Sequence, residues 1–261
     1  MSKRRNSMSS GAENHFSSKT TENHRRNSTF TEKDETTSKY FKSSSPRLRT
    51  DYYAKECISL SKNLLGKVLC RRIGNTILKG KIVETESYLG ENDLASHSYQ
   101  GKRTERNEAM YMGAGTAYVY KIYGMYHCFN ISSQEAGSAV LIRSLEPLEG
   151  FEQMRELRSV RRKDGGVKLK EKDLCNGPSK LCDALSITKE EINQLNLSSS
   201  ELIWLEDGED IAEENIITTS RIGIQGSGSA AALPFRFYIF ENKNVSVRDR
   251  KIESSVIKKL Y

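Results

Sequence analysis

Apolar and polar positions alternate most clearly over residues 117–122, where Tyr118 and Tyr120 fall on one side of an extended chain and Val119 and Lys121 on the other. Tyr123-Gly124-Met125-Tyr126 then reads as a hairpin tip, because Gly124 can take the positive φ of a tight turn, and residues 127–133 return as a second strand. Helical spacing of Tyr53, Cys57, Leu60 and Leu64 predicts a helix that ends at Gly66. Strands follow over 67–72 and 76–86 around Gly74-Asn75, then a glycine-bearing loop region over 89–115. A strongly apolar strand covers 139–145, and a helix is predicted over 148–160 from Leu148, Phe151, Met154 and Leu157. Asn176-Gly177-Pro178-Ser179 reads as another helix start, and later strands are predicted at 202–205, 221–224 and 235–240. With neither a repeat nor a second core, the chain reads as one α+β domain with mostly antiparallel pairing.

Composition changes this picture at the N-terminus. Residues 1–46 hold 17 Ser and Thr and few large aliphatics, so they read as a disordered basic tail preceding a folded domain over 47–261. Residues 1–50 carry 11 Lys and Arg against 5 Asp and Glu, whereas the remainder carries 30 against 29. The net charge of +7 therefore belongs largely to the tail, and the folded part is close to neutral. Arg4-Arg5-Asn6-Ser7 recurs as Arg25-Arg26-Asn27-Ser28, readable as nuclear-import or DNA contacts or as an ordinary solvated tail. The sequence offers neither a membrane-spanning apolar run nor a signal-peptide core. Five scattered cysteines without a CxxC pair read as reduced, buried thiols rather than a disulfide framework or a zinc site.

Several residues are candidates for chemistry. Glu84, Glu86 and Tyr88 alternate on one strand and share a face. Two neighbouring carboxylates suit a glycosidase pair, or one general base with a structural neighbour; an outward polar strand face is the bland reading. His97 reads as a hydrogen-bonding group for a ligand or as a satisfied structural histidine, and too few histidines accompany it for a metal site. Lys102 to Asn107 forms a basic loop close to these residues. Asn130 and Arg143 sit inside apolar strands, where a charge must face a polar cleft or join a buried ion pair. The helix start at Asn176–Ser179, with Lys180 beside it, suits a phosphate or is ordinary capping.

Taken in order, these pieces resemble one family. Glu84-Thr85-Glu86-Ser87-Tyr88, Ala95-Ser96-His97, Tyr118-Val119-Tyr120, Tyr123-Gly124-Met125-Tyr126, Asn130-Ile131-Ser132-Ser133, Leu145-Glu146-Pro147 and Asn176-Gly177-Pro178-Ser179-Lys180-Leu181 resemble the alkyladenine (3-methyladenine) DNA glycosylases of eukaryotic type. The resemblance runs from about residue 47 to about residue 250. It implies a mostly antiparallel curved sheet flanked by helices, with a protruding β-hairpin. It also implies a monomeric, cofactor-free and metal-free nuclear enzyme of base excision repair, acting on double-stranded DNA containing damaged purines. Such an enzyme flips the damaged nucleotide out and hydrolyses its N-glycosidic bond.

By the same resemblance Glu86 is the general base for the attacking water, and Arg143 helps to hold the DNA backbone and that water. Tyr88, His97 and Tyr120 form the base pocket, and the Ala95 carbonyl accepts a hydrogen bond from the base edge. Asn130 disfavours purines with a 2-amino group, and Tyr123, with Met125 beside it, fills the gap in the DNA stack. No lysine falls in the matched pocket motifs, so a Schiff-base lyase step is not expected. The chain departs from the family over 225–234, which is small and apolar where larger and charged residues are expected. A noncatalytic binder of damaged DNA or RNA would not need Glu86, and a hydrolase of free nucleosides would not need the hairpin wedge.

Overall fold

Alternation over short β-branched and aromatic runs is realised as one antiparallel sheet. The computed structural model describes residues 46–260, apart from 163, 164 and 166–168. The tail expected over residues 1–46 therefore lies, but for Pro46, outside the described residues. The strands are β1 (Val68–Ile73), β2 (Thr76–Tyr88), β3 (Ala117–Ile122), β4 (Tyr126–Ser132), β5 (Ala139–Glu149), β6 (Ile203–Glu206), β7 (Ile216–Thr219) and β8 (Arg236–Ile239). They run in the order β3-β4-β5-β2-β1-β6, with β8 pairing both β2 and β7. The helices are α1 (Thr50–Tyr53), α2 (Cys57–Asn63), α3 (Phe151–Ser159), α4 (Pro178–Ala184), α5 (Lys189–Ile192) and α6 (Arg250–Leu260). The α+β architecture is as the sequence suggests.

Strand β2 organises the sheet. Its first half pairs with β1 along one edge, and from Glu84 to Glu86 the same edge takes up β8. Its other edge pairs with β5, where the register shifts at Lys79/Gly80, Ile82/Glu84 and Glu84/Thr85. The last two shifts leave Val83 and Arg143 without facing partners. Irregularities of this kind bend a strand and increase its twist, which curls the sheet.

The two faces of the sheet divide by residue parity. Val119, Phe129, Ile131, Val140 and Ile142 are fully buried in the main core with Leu60 and Leu64 of the α2 region. Each such side chain contributes about 1.5–3 kcal/mol by leaving water, so this face holds the sheet to its helices. Thr85 and Ser87 point to the same side, donating to the Ser61 and Cys57 carbonyls at 2.9 and 3.3 Å. The intervening residues point to the opposite face. One registered row there runs Tyr118, Asn130, Leu141, Glu86 and Arg236 across five strands.

Three local departures from the sequence pattern have physical causes. The helix predicted from Tyr53 to Leu64 is split, because the α2 N-terminus is fixed by Glu135, whose two carboxylate oxygens accept the Cys57 N–H at 3.1 and 3.0 Å. Leu148 belongs to β5, and the helix begins only at Phe151 after Gly150 turns the chain at φ +85°. Residues 221–224 form no strand; the strand pairing with β8 is β7, immediately before them.

The five cysteines are buried free thiols, and burial pushes those of Cys57 and Cys175 up to about 12. They remain protonated and unreactive at neutral pH.

Gly150→Ala is expected to destabilise the fold by about 1–3 kcal/mol, through left-handed strain and overpacking. A Cβ placed there would lie 2.2 Å from Leu78 Cδ2. Denaturant unfolding measures the loss, and an unchanged midpoint would contradict it.

Candidate active site

The parity of the strands gathers the candidate residues around one cavity of about 320 Å³. Tyr88, Ala95, His97, Tyr120, Tyr123, Asn130 and Arg143 all line it. Glu86 and Met125 are not among the lining residues. Glu86 is fully buried, but its three partners, Tyr88, Arg143 and Ile222, are all residues of the cavity wall.

Two buried carboxylates on one strand face would repel without intervening cations. Arg143 donates from Nε to Glu84 Oε1 at 3.0 Å, and its Nη1 lies 3.1 Å from Glu86 Oε1. Burial works against the Arg143 charge, and the carboxylates of Glu86 and Glu84 outweigh it, holding the guanidinium above its ordinary value. Arg236 donates to Glu84 Oε1 at 2.9 Å, while the Ser246 N–H and hydroxyl reach Oε2 and Oε1 at 2.7 and 2.9 Å. A carboxylate accepts along roughly four directions, and Glu84 takes four donors, three on Oε1 and one on Oε2, of which only Arg143 lines the cavity.

Glu86 has three partners. Its Oε1 accepts the Ile222 N–H at 2.7 Å and pairs with Arg143 Nη1 at 3.1 Å, and among the described residues its Oε2 accepts only the Tyr88 hydroxyl, at 3.0 Å. Burial first, then the Glu86 charge, holds the Tyr88 phenol well above its ordinary value, so it stays a donor. Among the described residues, one acceptor direction on Oε2 is left over. This is one carboxylate beside a structural neighbour, with Arg143 in the buried ion pair that its apolar strand required.

Aromatic groups build another part of the wall. The Tyr118 and Tyr120 rings lie 5.2 Å apart, tilted by 32°, and His97 meets Tyr120 edge-on at 4.7 Å. His97 Nδ1 and the Tyr118 hydroxyl share a hydrogen bond of 2.8 Å. Burial, with the nearby Arg106 and Lys102 charges, lowers the His97 pKa to about 4, so the imidazole is neutral at physiological pH. Asn130 Nδ2 donates to the Tyr118 carbonyl at 3.0 Å, which fixes its amide. Arg106, from the basic loop, sits 5.2 Å from the Tyr120 ring centre.

The hairpin presents the remaining candidates to solvent. Between β3 and β4, Tyr123 and Gly124 both take positive φ, +51° and +71°. Tyr123 is 88% exposed and lines the same cavity as Tyr120, while Met125 is 52% exposed outside that lining. Sequence reasoning missed Ile222, Gly223 and Ile224, which the predicted strand at 221–224 concealed and which line the cavity instead. Ile222 acts through its backbone N–H, which leaves no trace in side-chain type.

The methylpurine-DNA glycosylase (MPG) family pattern matches residues 51–243. This chain belongs to the methylpurine-DNA glycosylase family. It is therefore an enzyme, a DNA glycosylase of base excision repair. It is 53% identical over 197 residues to a protein of Encephalitozoon cuniculi strain GB-M1 named a probable DNA-3-methyladenine glycosylase, covering 75% of this chain and 91% of that one. It is 48% identical over 210 residues to the DNA-3-methyladenine glycosylase of Homo sapiens, covering 79% of this chain and 70% of the human one. Among the described residues, no cluster of His, Cys, Asp and Glu could hold a metal, and no helix is long and apolar enough to cross a membrane.

The depressed His97 pKa has a consequence for stability. Between about 4 and 6.5 the unfolded chain holds a proton on this residue that the folded chain does not. Acidification through that window therefore favours unfolding. In His97→Gln the fall in melting temperature from about pH 7 to about pH 4.5 should be smaller than in the unmodified protein. Equal falls would contradict this assignment.

Proposed function

We propose that this chain is a monofunctional DNA glycosylase that takes an alkylated or deaminated purine out of duplex DNA into the aromatic cavity. It then hydrolyses the bond from the base to C1′ with a water activated by Glu86. The observation that carries this reading is that Glu86, with one hydrogen bond to Oε2 among the described residues, has all three of its partners in the wall of an aromatic-lined cavity.

Extruding a base costs a few kcal/mol, less when it is damaged or mispaired. The exposed Tyr123 ring, on a turn at the cavity rim, is placed to enter the vacated stack, with Met125 beside it. Tyr88, Tyr120 and His97 receive the base, and the cavity is within the roughly 300–1,000 Å³ range of small-ligand sites. Tyrosine faces favour electron-poor, cationic purines through their quadrupoles. Asn130, held by its hydrogen bond to Tyr118, excludes a 2-amino group, and the Ala95 carbonyl reads the base edge.

In the chemical step Glu86 accepts a proton from water, the water oxygen bonds to C1′, and the electron pair of the glycosidic bond leaves with the base. A cationic base departs neutral, whereas a neutral one must gain a proton. Arg143 anchors the Glu86 carboxylate and holds the water and DNA backbone beside it. Among the described residues, no lysine lines the cavity, which supports hydrolysis over Schiff-base lyase chemistry. Residues 1–46 add charge attraction for duplex DNA as a basic tail, and 47–261 act as a monomeric catalytic domain in the nucleus.

Glu86→Gln is expected to lower single-turnover release of hypoxanthine or 3-methyladenine by about 10²–10⁴-fold, the usual range for a general base. Lesion-duplex affinity should be retained. A wild-type protein that binds such DNA but releases no base would replace this reading with that of a binder. Tyr123→Ser should weaken lesion binding and flipping by about 1–3 kcal/mol, the worth of one stacked ring. Fluorescence of ethenoadenine in the duplex reports flipping, and an unchanged equilibrium would remove Tyr123 from the wedge role.

A further inference from the structure

Away from the paired carboxylates, the most deeply buried ion pair among the described residues joins two loops. Arg221 donates from Nη1 and Nη2 to Asp93 Oδ2 and Oδ1 at 2.5 and 2.8 Å, with side chains 0% and 1% exposed. Two parallel bonds between a planar guanidinium and a carboxylate fix orientation as well as distance. The same guanidinium donates to the Ser87 and Ala230 carbonyls at 2.8 and 3.3 Å. It also lies 4.8 Å from the Tyr88 ring centre and 5.3 Å from that of Phe235. Asp93 in turn accepts the N–H groups of Leu89 and Ala95 at 3.1 and 3.0 Å. Burial works against the Asp93 charge, and Arg221 with the Ala95 N–H outweighs it, holding the carboxyl below its ordinary range.

Three of the groups tied in this way adjoin a wall of the cavity. Leu89 follows Tyr88, Ala95 lines the cavity itself, and Arg221 precedes Ile222, whose N–H rests on Glu86. We propose that the Asp93–Arg221 pair is a positioning clamp for the glycosylase site, holding the Ile222 N–H against Glu86. The clamp rests on the glycosylase reading of the same site. It touches neither base nor water. Without it Glu86 Oε1 loses its backbone donor and keeps only the Arg143 ion pair, so the carboxylate is free to turn, while the exposed Tyr123 that engages DNA is unaffected.

The test compares Arg221→Lys and Asp93→Asn with wild type in single-turnover release of hypoxanthine from duplex DNA. Affinity and ethenoadenine fluorescence are measured on the same proteins, and thermal melting establishes folding. Arg221→Lys keeps the charge and loses the fork; Asp93→Asn keeps the shape and loses the charge. In either, the cleavage rate should fall about 10- to 100-fold, as displacement of about 1 Å does, with affinity and flipping changed by less than about threefold. The double variant should be no slower than the slower single variant, because both remove one interaction. An unchanged rate in a folded variant overturns the clamp alone. So do rate and affinity falling together, or loss of the cooperative melting transition in both single variants, since either result makes the pair a general structural tie. A wild type that releases no base overturns the clamp together with the glycosylase reading.

Discussion

Glu84 and Glu86 leave β2 on the same face and are both without solvent, and that arrangement sets the terms for the elements around them. Like charges so placed are tolerated only if cations lie between and beside them. Arg143 from β5 bridges the two, and Arg236 from β8 completes the neutralisation at Glu84. Removing one partner of such a network costs about 3–5 kcal/mol, because a buried charge is left uncompensated. The network therefore fixes the relative positions of β2, β5 and β8 and of the segment carrying Ser246. It also separates two chemically identical side chains. Glu84 is held by Arg236 and Ser246 away from the cavity, whereas every partner of Glu86 among the described residues belongs to the cavity wall.

What was legible in the sequence is what depends on neighbours near in the chain. The tyrosine hairpin could be read because alternation, a turn glycine and a returning strand lie within about a dozen residues. The shared face of Glu84, Glu86 and Tyr88 followed from strand periodicity in the same way. Losses occur where distant residues decide. Glu135 fixes the start of α2 from the β4–β5 loop, splitting a run whose helical spacing is otherwise continuous. Arg221 to Ile224 has the composition of a strand, but Asp93 draws Arg221 inward and the segment becomes a wall of the cavity. The function of Ile222 was invisible for a different reason, since a backbone N–H is common to every residue except proline.

The division of the sheet by parity binds catalysis to folding. Core and cavity are read from the same strands in alternate letters, Val119 between Tyr118 and Tyr120, Ile142 between Leu141 and Arg143. Deleting a single residue within β3, β4 or β5 would exchange the two sets, sending rings into the core and aliphatics to the substrate. Substitutions can be tolerated one at a time, but changes of length cannot. The strands thus behave as a reading frame, and the connections between them are where the chain can change length without exchanging its two faces.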